Sequence, residues 1–237
     1  MNTRRNCLVA VAVAVAAATL LPARAEVSAV VDGFGTYVET VVITGPGPRN
    51  LRVWGYSGRK LGYYPLNMTG DSTGDRYPLI AENPLDRNPY LVWTRPVGGD
   101  VDLMWSRWTG TAWTGVAPVG VATTAGDDQN PNVAFDCDAR PYLVWWRNEG
   151  GVGRVYLSIF LQSIWMAEIP VSDEGVDARN PRVTINADKT IAVDFQTPSG
   201  FQSRTVSFDW PVSINDDITP MGRYTISVSA NVGNRRR

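Results

Sequence analysis

The chain has 237 residues, 44% of them hydrophobic, a net charge of −1 and no histidine. Without histidine there is no Ser-His-Asp or Cys-His catalysis, no His-ligated zinc and no imidazole proton shuttle, so any chemistry has to rest on carboxylates, Tyr, Arg or the two lysines, Lys60 and Lys189. The only basic cluster is Arg235 to Arg237, which argues against a nucleic-acid partner.

The first 25 residues read as a secretory leader. Arg4 and Arg5 precede an uncharged Ala/Val/Leu run from Cys7 to Leu21, and Ala23-Arg24-Ala25 places small residues where a signal peptidase cuts. That run is too short for a membrane span, which needs about 20 apolar residues. The expected mature domain is 26–237, secreted or periplasmic, with no membrane span; losing Arg4, Arg5 and Arg24 moves its net charge toward −4. Thr3-Arg4-Arg5 with Cys7-Leu8 resembles a twin-arginine signal, so both export routes stay open. Cys7 leaves with the leader, and Cys137 then has no intramolecular partner.

The remainder is a repeat. Pro89-Tyr90-Leu91-Val92-Trp93 returns as Pro141-Tyr142-Leu143-Val144-Trp145, and the same offset carries Gly98-Gly99 onto Gly150-Gly151, Ser106 onto Ser158, Trp108 onto Phe160 and Trp113 onto Trp165. Two steps back from Asp136 lies Asp32, and Asn130-Pro131-Asn132-Val133 reappears as Asn180-Pro181-Arg182-Val183. Four copies follow, at about 27–78, 79–129, 130–179 and 180–232. In the third copy Val133 to Asp136, Pro141 to Arg147, Val155 to Phe160 and Trp165 to Val171 read as strands between polar or Gly-rich turns. Nothing after the leader shows helical spacing of apolar residues. Four-stranded units of this size bury their faces only by stacking on one another, and radial stacking gives an all-β propeller of about four four-stranded blades. A β-sandwich is the alternative. The strand-like segment Tyr224 to Val232 is expected to close the ring against Val27 to Val31.

Ser106-Arg107-Trp108-Thr109-Gly110-Thr111-Ala112-Trp113 resembles the Asp-box repeat of sialidase-like propellers, Ser-x-Asp-x-Gly-x-Thr-Trp. Ser106, Gly110 and Trp113 match, Trp108 replaces the Asp and Ala112 the Thr; Ser158 and Trp165 keep the spacing in the next copy. The resemblance implies a folding element for Ser106, Gly110, Trp113, Ser158 and Trp165. It implies no activity here, because the arginine triad, Tyr-Glu pair and opening motif of a sialidase have no counterpart and six blades are expected where four are present.

Asp32, Asp86, Asp136, Asp138 and Asp188 fall in the first turn of successive copies, where Asp accepts local backbone N-H groups. Asp127-Asp128 and Asp216-Asp217 offer oxygen ligands without the alternation of a calcium loop. No cofactor and no metal ligand set is therefore expected, with weak calcium binding left open. Trp93, Trp145 and Trp146 lie in strands ending in Arg95 and Arg147, and large flat rings suit the wedge between blades. Trp108 at a hairpin tip suits the apolar face of a sugar. Trp108, Arg95, Arg147 and Trp146 are thus the expected ligand contacts, with no catalytic residue assigned. The reading the residues favour is an exported, non-catalytic binding module for a carbohydrate or another cell-surface component. A glycoside hydrolase or lyase using carboxylate or Tyr chemistry, and a structural or protein-interaction propeller, stay open as alternatives, as does oligomerisation.

Overall fold

The computed structural model describes residues 74–109, 112–120, 125–161 and 163–208 in full, and the backbone of strands at 26–31, 37–43, 50–56, 66–67 and 226–230. The leader and Gly110 lie outside the described residues, as do Asp32 and Asp216-Asp217. Among the described residues every regular element is a strand, and no helix is long and apolar enough to cross a membrane.

The strands form four antiparallel sheets in chain order. The first holds β1 (Glu26–Val31), β2 (Tyr37–Ile43), β3 (Asn50–Tyr56) and β4 (Leu66–Asn67). The second holds β5 (Arg76–Glu82), β6 (Pro89–Val97), β7 (Asp100–Arg107) and β8 (Ala117–Pro118). In the third, β9 (Asp127–Phe135), β10 (Pro141–Glu149) and β11 (Val152–Leu161) are followed by two short pieces, β12 (Ile164–Trp165) and β13 (Ile169–Pro170), both paired to β11. The fourth holds β14 (Arg179–Ile185), β15 (Ile191–Thr197), β16 (Gly200–Phe208) and β17 (Ile226–Ala230). Strands β5, β9 and β14 begin at or just before the junctions drawn between copies from the sequence, at 78/79, 129/130 and 179/180.

Each sheet is a meander, and the middle hairpins of the second and third sheets are tight. Val97 pairs with Asp100 and Glu149 with Val152, leaving two-residue loops, Gly98-Gly99 and Gly150-Gly151, with φ of +64° and +113°, and +64° and +99°. Two successive positive φ angles match the twist of the flanking strands and favour glycine at both positions.

The sheets pack face to face. In β10, seven consecutive residues from Pro141 to Arg147 are buried, as a strand covered on both faces requires. Leu143 and Trp145 join Tyr90, Val92 and Leu103 of the second sheet, while Tyr142, Val144 and Trp146 join Val183, Val193, Phe195 and Val206 of the fourth. A sheet sandwiched on both sides is incompatible with a two-sheet sandwich. The first strands, β1, β5, β9 and β14, lie against one another in sequence along the inner side of the arc. This is the arrangement of propeller blades. The closing strand expected from Tyr224 to Val232 is placed differently: β17 extends the fourth sheet, Ile226 pairing with Phe208 and Ala230 with Arg204, and does not pair with β1. Antiparallel addition to β16, only one connection away in the chain, satisfies its backbone without shutting the ring.

Candidate functional site

The chemistry-bearing side chains of the second and third sheets meet in a clamp that occurs twice. In the second sheet Trp93 Nε1 donates to Asp75 Oδ1 at 3.0 Å, Arg95 Nε to the same oxygen at 2.8 Å, and Arg95 Nη2 to Oδ2 at 3.3 Å. In the third, Trp145 Nε1 donates to Asp128 Oδ1 at 2.9 Å, Arg147 Nε to that oxygen at 2.8 Å, and Arg147 Nη2 to Oδ2 at 3.3 Å. Trp and Arg two positions apart on the second strand point to one face and reach across to an Asp at the start of the first strand. In the fourth sheet the register puts Ala178, Phe195 and Thr197 in these places, so all three members are replaced together.

The third-sheet clamp has a second carboxylate. Arg147 Nη1 and Nη2 donate to Glu168 Oε2 at 2.6 Å and Oε1 at 2.8 Å, and the guanidinium lies 4.8 Å from the Tyr156 ring centre. With its side chain 4% exposed, Arg147 is held by two carboxylates and a ring. Burial opposes its charge, but Glu168 and Asp128 outweigh this and raise its pKa. Asp102, buried on β7, feels Asp100, Arg147 and Glu168, and its Oδ2 is buried without a hydrogen-bond partner. Tyr156, stacked on Trp145, donates a hydrogen bond from its hydroxyl to Glu149, and burial pushes its pKa up to about 12.

Burial also pushes the Asp128 carboxyl up to about 6 from the ordinary 3.8, the Arg147 and Trp145 donors offsetting part of the rise. Asp102 is raised too, by burial and then by Asp100. A carboxyl with a higher pKa folded than unfolded binds more proton in the folded state, so its contribution to stability grows as pH falls from about 6 toward 4. Asp177, held below 3.8 by its Arg179 and Gly153 N-H partners, acts in the opposite sense, but only below that value. Urea unfolding is therefore expected to show greater stability at pH 5 than at pH 7.5. For Asp128 alone the full change is at most about 3 kcal/mol, and the rise should shrink in Asp128→Asn. Equal stability at the two pH values in the unaltered protein would contradict this.

The residues expected from sequence are thus dispersed. Arg95 and Arg147 sit in the two clamps. Trp146 is buried on the opposite face of β10, with Arg179 4.9 Å above its ring. Trp108 lies at the outer hairpin of the second sheet, half-buried, its ring edge-on to Trp113 at 5.7 Å. The hairpin itself repeats: Ser106 Oγ donates to Thr114 O and Ser158 Oγ to Met166 O, each at 2.8 Å. Trp165 is buried, while Trp113 is only half-buried. Asp86, Asp136 and Asp188 accept backbone N-H groups of their own turns. Asp127 Oδ1 accepts the Val101 N-H from the neighbouring sheet, so both members of Asp127-Asp128 are engaged in holding sheets. Among the described residues no three His, Cys, Asp or Glu side chains gather to hold a metal. Sequence reading missed Asp75 and Glu168; an Asp 18 and 17 residues before the tryptophan of each Trp-x-Arg was the available signal for the first.

No family model matches the sequence, and no curated protein matches it. Solved structures do. A protein of unknown function from Dyadobacter fermentans superposes with a TM-score of 0.56 at 14% identity, over 77% of this chain and 64% of that one. The Penicillium chrysogenum α-L-arabinanase, solved with arabinobiose, gives 0.52 at 11% identity, over 83% of this chain and 72% of that one. The chain spans less than two thirds of the first of these. At such identities the likeness is one of fold, and with the four packed meanders it makes this chain a β-propeller.

Proposed function

We propose that this protein is an exported propeller that binds a carbohydrate without cleaving it. The observation that supports binding over cleavage is the engagement of the clamp carboxylates: Asp75, Asp128 and Glu168 each have both oxygens on Arg or Trp donors. Glycoside cleavage needs two carboxyls about 5 to 10 Å apart, one giving a proton and one attacking or activating water. An acid clamped by a guanidinium and an indole does neither. A unit present in two sheets with the same distances is also what a scaffold needs, whereas one scissile bond needs one site. The carbohydrate part rests on the partly exposed Trp108 at the outer hairpin and on the arabinobiose bound by a propeller of similar fold. Hydrolysis keeps one supporting observation, the buried Asp102 with its unpartnered oxygen.

A glycan array probed with residues 26–237 tests the reading, followed by product analysis of every hit. Retention of saccharides without release of shorter products is expected. Turnover abolished by Asp102→Asn would transfer the assignment to a hydrolase, and an array without hits would leave a structural or protein-interaction role.

A further inference from the structure

The joint between the third and fourth sheets shows what one sheet needs in order to receive the next. Toward the fourth sheet the third presents Tyr142, Val144 and Trp146 on β10 and Val155, Leu157 and Ile159 on β11, all buried. On β9, Asn132 Oδ1 accepts the Val183 N-H of the fourth sheet at 3.0 Å.

The far face of the fourth sheet has lost this joint. Val144 lies opposite Asn132, and Asp194 opposite Arg182, which fixes the register of the comparison. The cross-strand pairs Tyr142-Ile159, Val144-Leu157 and Trp146-Val155 then become Ala192-Thr205, Asp194-Ser203 and Gln196-Phe201. Asn132, the acceptor, becomes Arg182, whose side chain only donates. Such a face cannot receive a further sheet as the third receives the fourth, and a polar outer face is what the terminal repeat of a stack carries. Phe201 is the exception. Val155 in its place is fully buried, whereas Phe201 is 81% exposed, so this ring is not packed against a neighbouring sheet.

The groups around the ring are open as well. Arg182, Asp194 and Gln196 are exposed. Arg182 and Asp194 stand opposite each other without an ion pair among the described residues. Gln196 Oε1 accepts from Asn180 Nδ2 at 2.9 Å, which steadies the amide and leaves its own N-H groups as donors. Asp194 and Gln196 alternate on one face of β15 and so lie about 7 Å apart along the strand.

Resting on the carbohydrate reading above, we infer that this open face of the fourth sheet binds a neutral saccharide chain, with Phe201 against a sugar ring and Arg182, Asp194 and Gln196 bonded to its hydroxyls. A hydroxyl both donates and accepts, so it matches a face that offers a carboxylate acceptor beside guanidinium and amide donors. The two charges cancel, and a uronate would set its carboxylate beside Asp194. The aromatic ring supplies the apolar contact and the polar groups fix orientation, the usual division of work in a small-ligand site.

The test is calorimetric titration of residues 26–237 with arabinohexaose, xylohexaose, cellohexaose and hexagalacturonate. At least one neutral hexasaccharide is expected to bind, about tenfold or more tighter than hexagalacturonate. Phe201→Ala and Asp194→Ala should each weaken it about tenfold with the thermal midpoint unchanged, and Phe201→Tyr should retain it. A midpoint that falls in Phe201→Ala would show a packed ring and overturn the inference. Binding unchanged in both alanine variants overturns this face as the location and leaves carbohydrate binding standing. Tighter binding of hexagalacturonate, or no binding of the neutral chains while the array gives other hits, overturns the inference alone; an array without hits overturns the underlying reading as well.

Discussion

Arg147→Ala is expected to lower stability by about 3 to 5 kcal/mol, the usual cost of removing one partner from a buried ion pair. The guanidinium is 4% exposed and satisfies both oxygens of Asp128 and of Glu168. Its loss leaves one carboxylate buried, a second partly buried, the face of Tyr156 uncovered and four donor contacts unmade. For a domain of this size the thermal midpoint should fall by about 10 °C. Adding Asp128→Asn removes the stranded charge, so the double variant should recover part of the loss; non-additivity of that sign identifies the pair as the source. A single-variant loss below about 1 kcal/mol would mean that solvent screens the cluster and that the clamp is not what fixes the start of β9.

The propeller was legible because its signals are local and repeated. Pro89 to Trp93 and Pro141 to Trp145 carry two-faced apolar runs, and the glycine pairs at 98–99 and 150–151 mark two-residue hairpins whose positions the register reproduces. Chemistry-bearing residues are less legible. Arg95, Arg147 and Trp146 stand out by residue type, but whether an arginine at a strand end meets a ligand or an aspartate depends on a residue about 20 positions away, and Asp75 and Asp128 lie apart in sequence from their partners. Asp127-Asp128 read as one acidic pair, yet alternation along β9 sends them to different neighbours, Val101 of the second sheet and Arg147 of the third. Closure by Tyr224 to Val232 is a matter of topology that strand propensity cannot decide, since a strand adds equally well to any open edge.

The two outer-hairpin tryptophans should respond oppositely to substitution. Trp165→Ala is expected to cost about 3 to 5 kcal/mol, as for a large aromatic removed from a core. Trp165 is 4% exposed and packs on Phe160 at 5.2 Å and Trp105 at 6.2 Å, between the second and third sheets. Trp108, at the position equivalent to Phe160, is half-buried, and its ring meets Trp113 edge-on. Trp108→Ala should therefore cost only about 1 kcal/mol, the size of one aromatic pair. Its effect on binding separates two locations for the ligand. Trp108 follows β7, the third strand of its sheet, and lies away from the innermost strands. Saccharide affinity unchanged in Trp108→Ala puts recognition away from the outer hairpin; affinity lost, with the fold intact by thermal unfolding, puts it there, where an exposed ring would be the sugar platform. A Trp108→Ala protein that unfolds as readily as Trp165→Ala would instead show that the half-buried ring is holding the hairpin, and would remove Trp108 from consideration as a ligand contact.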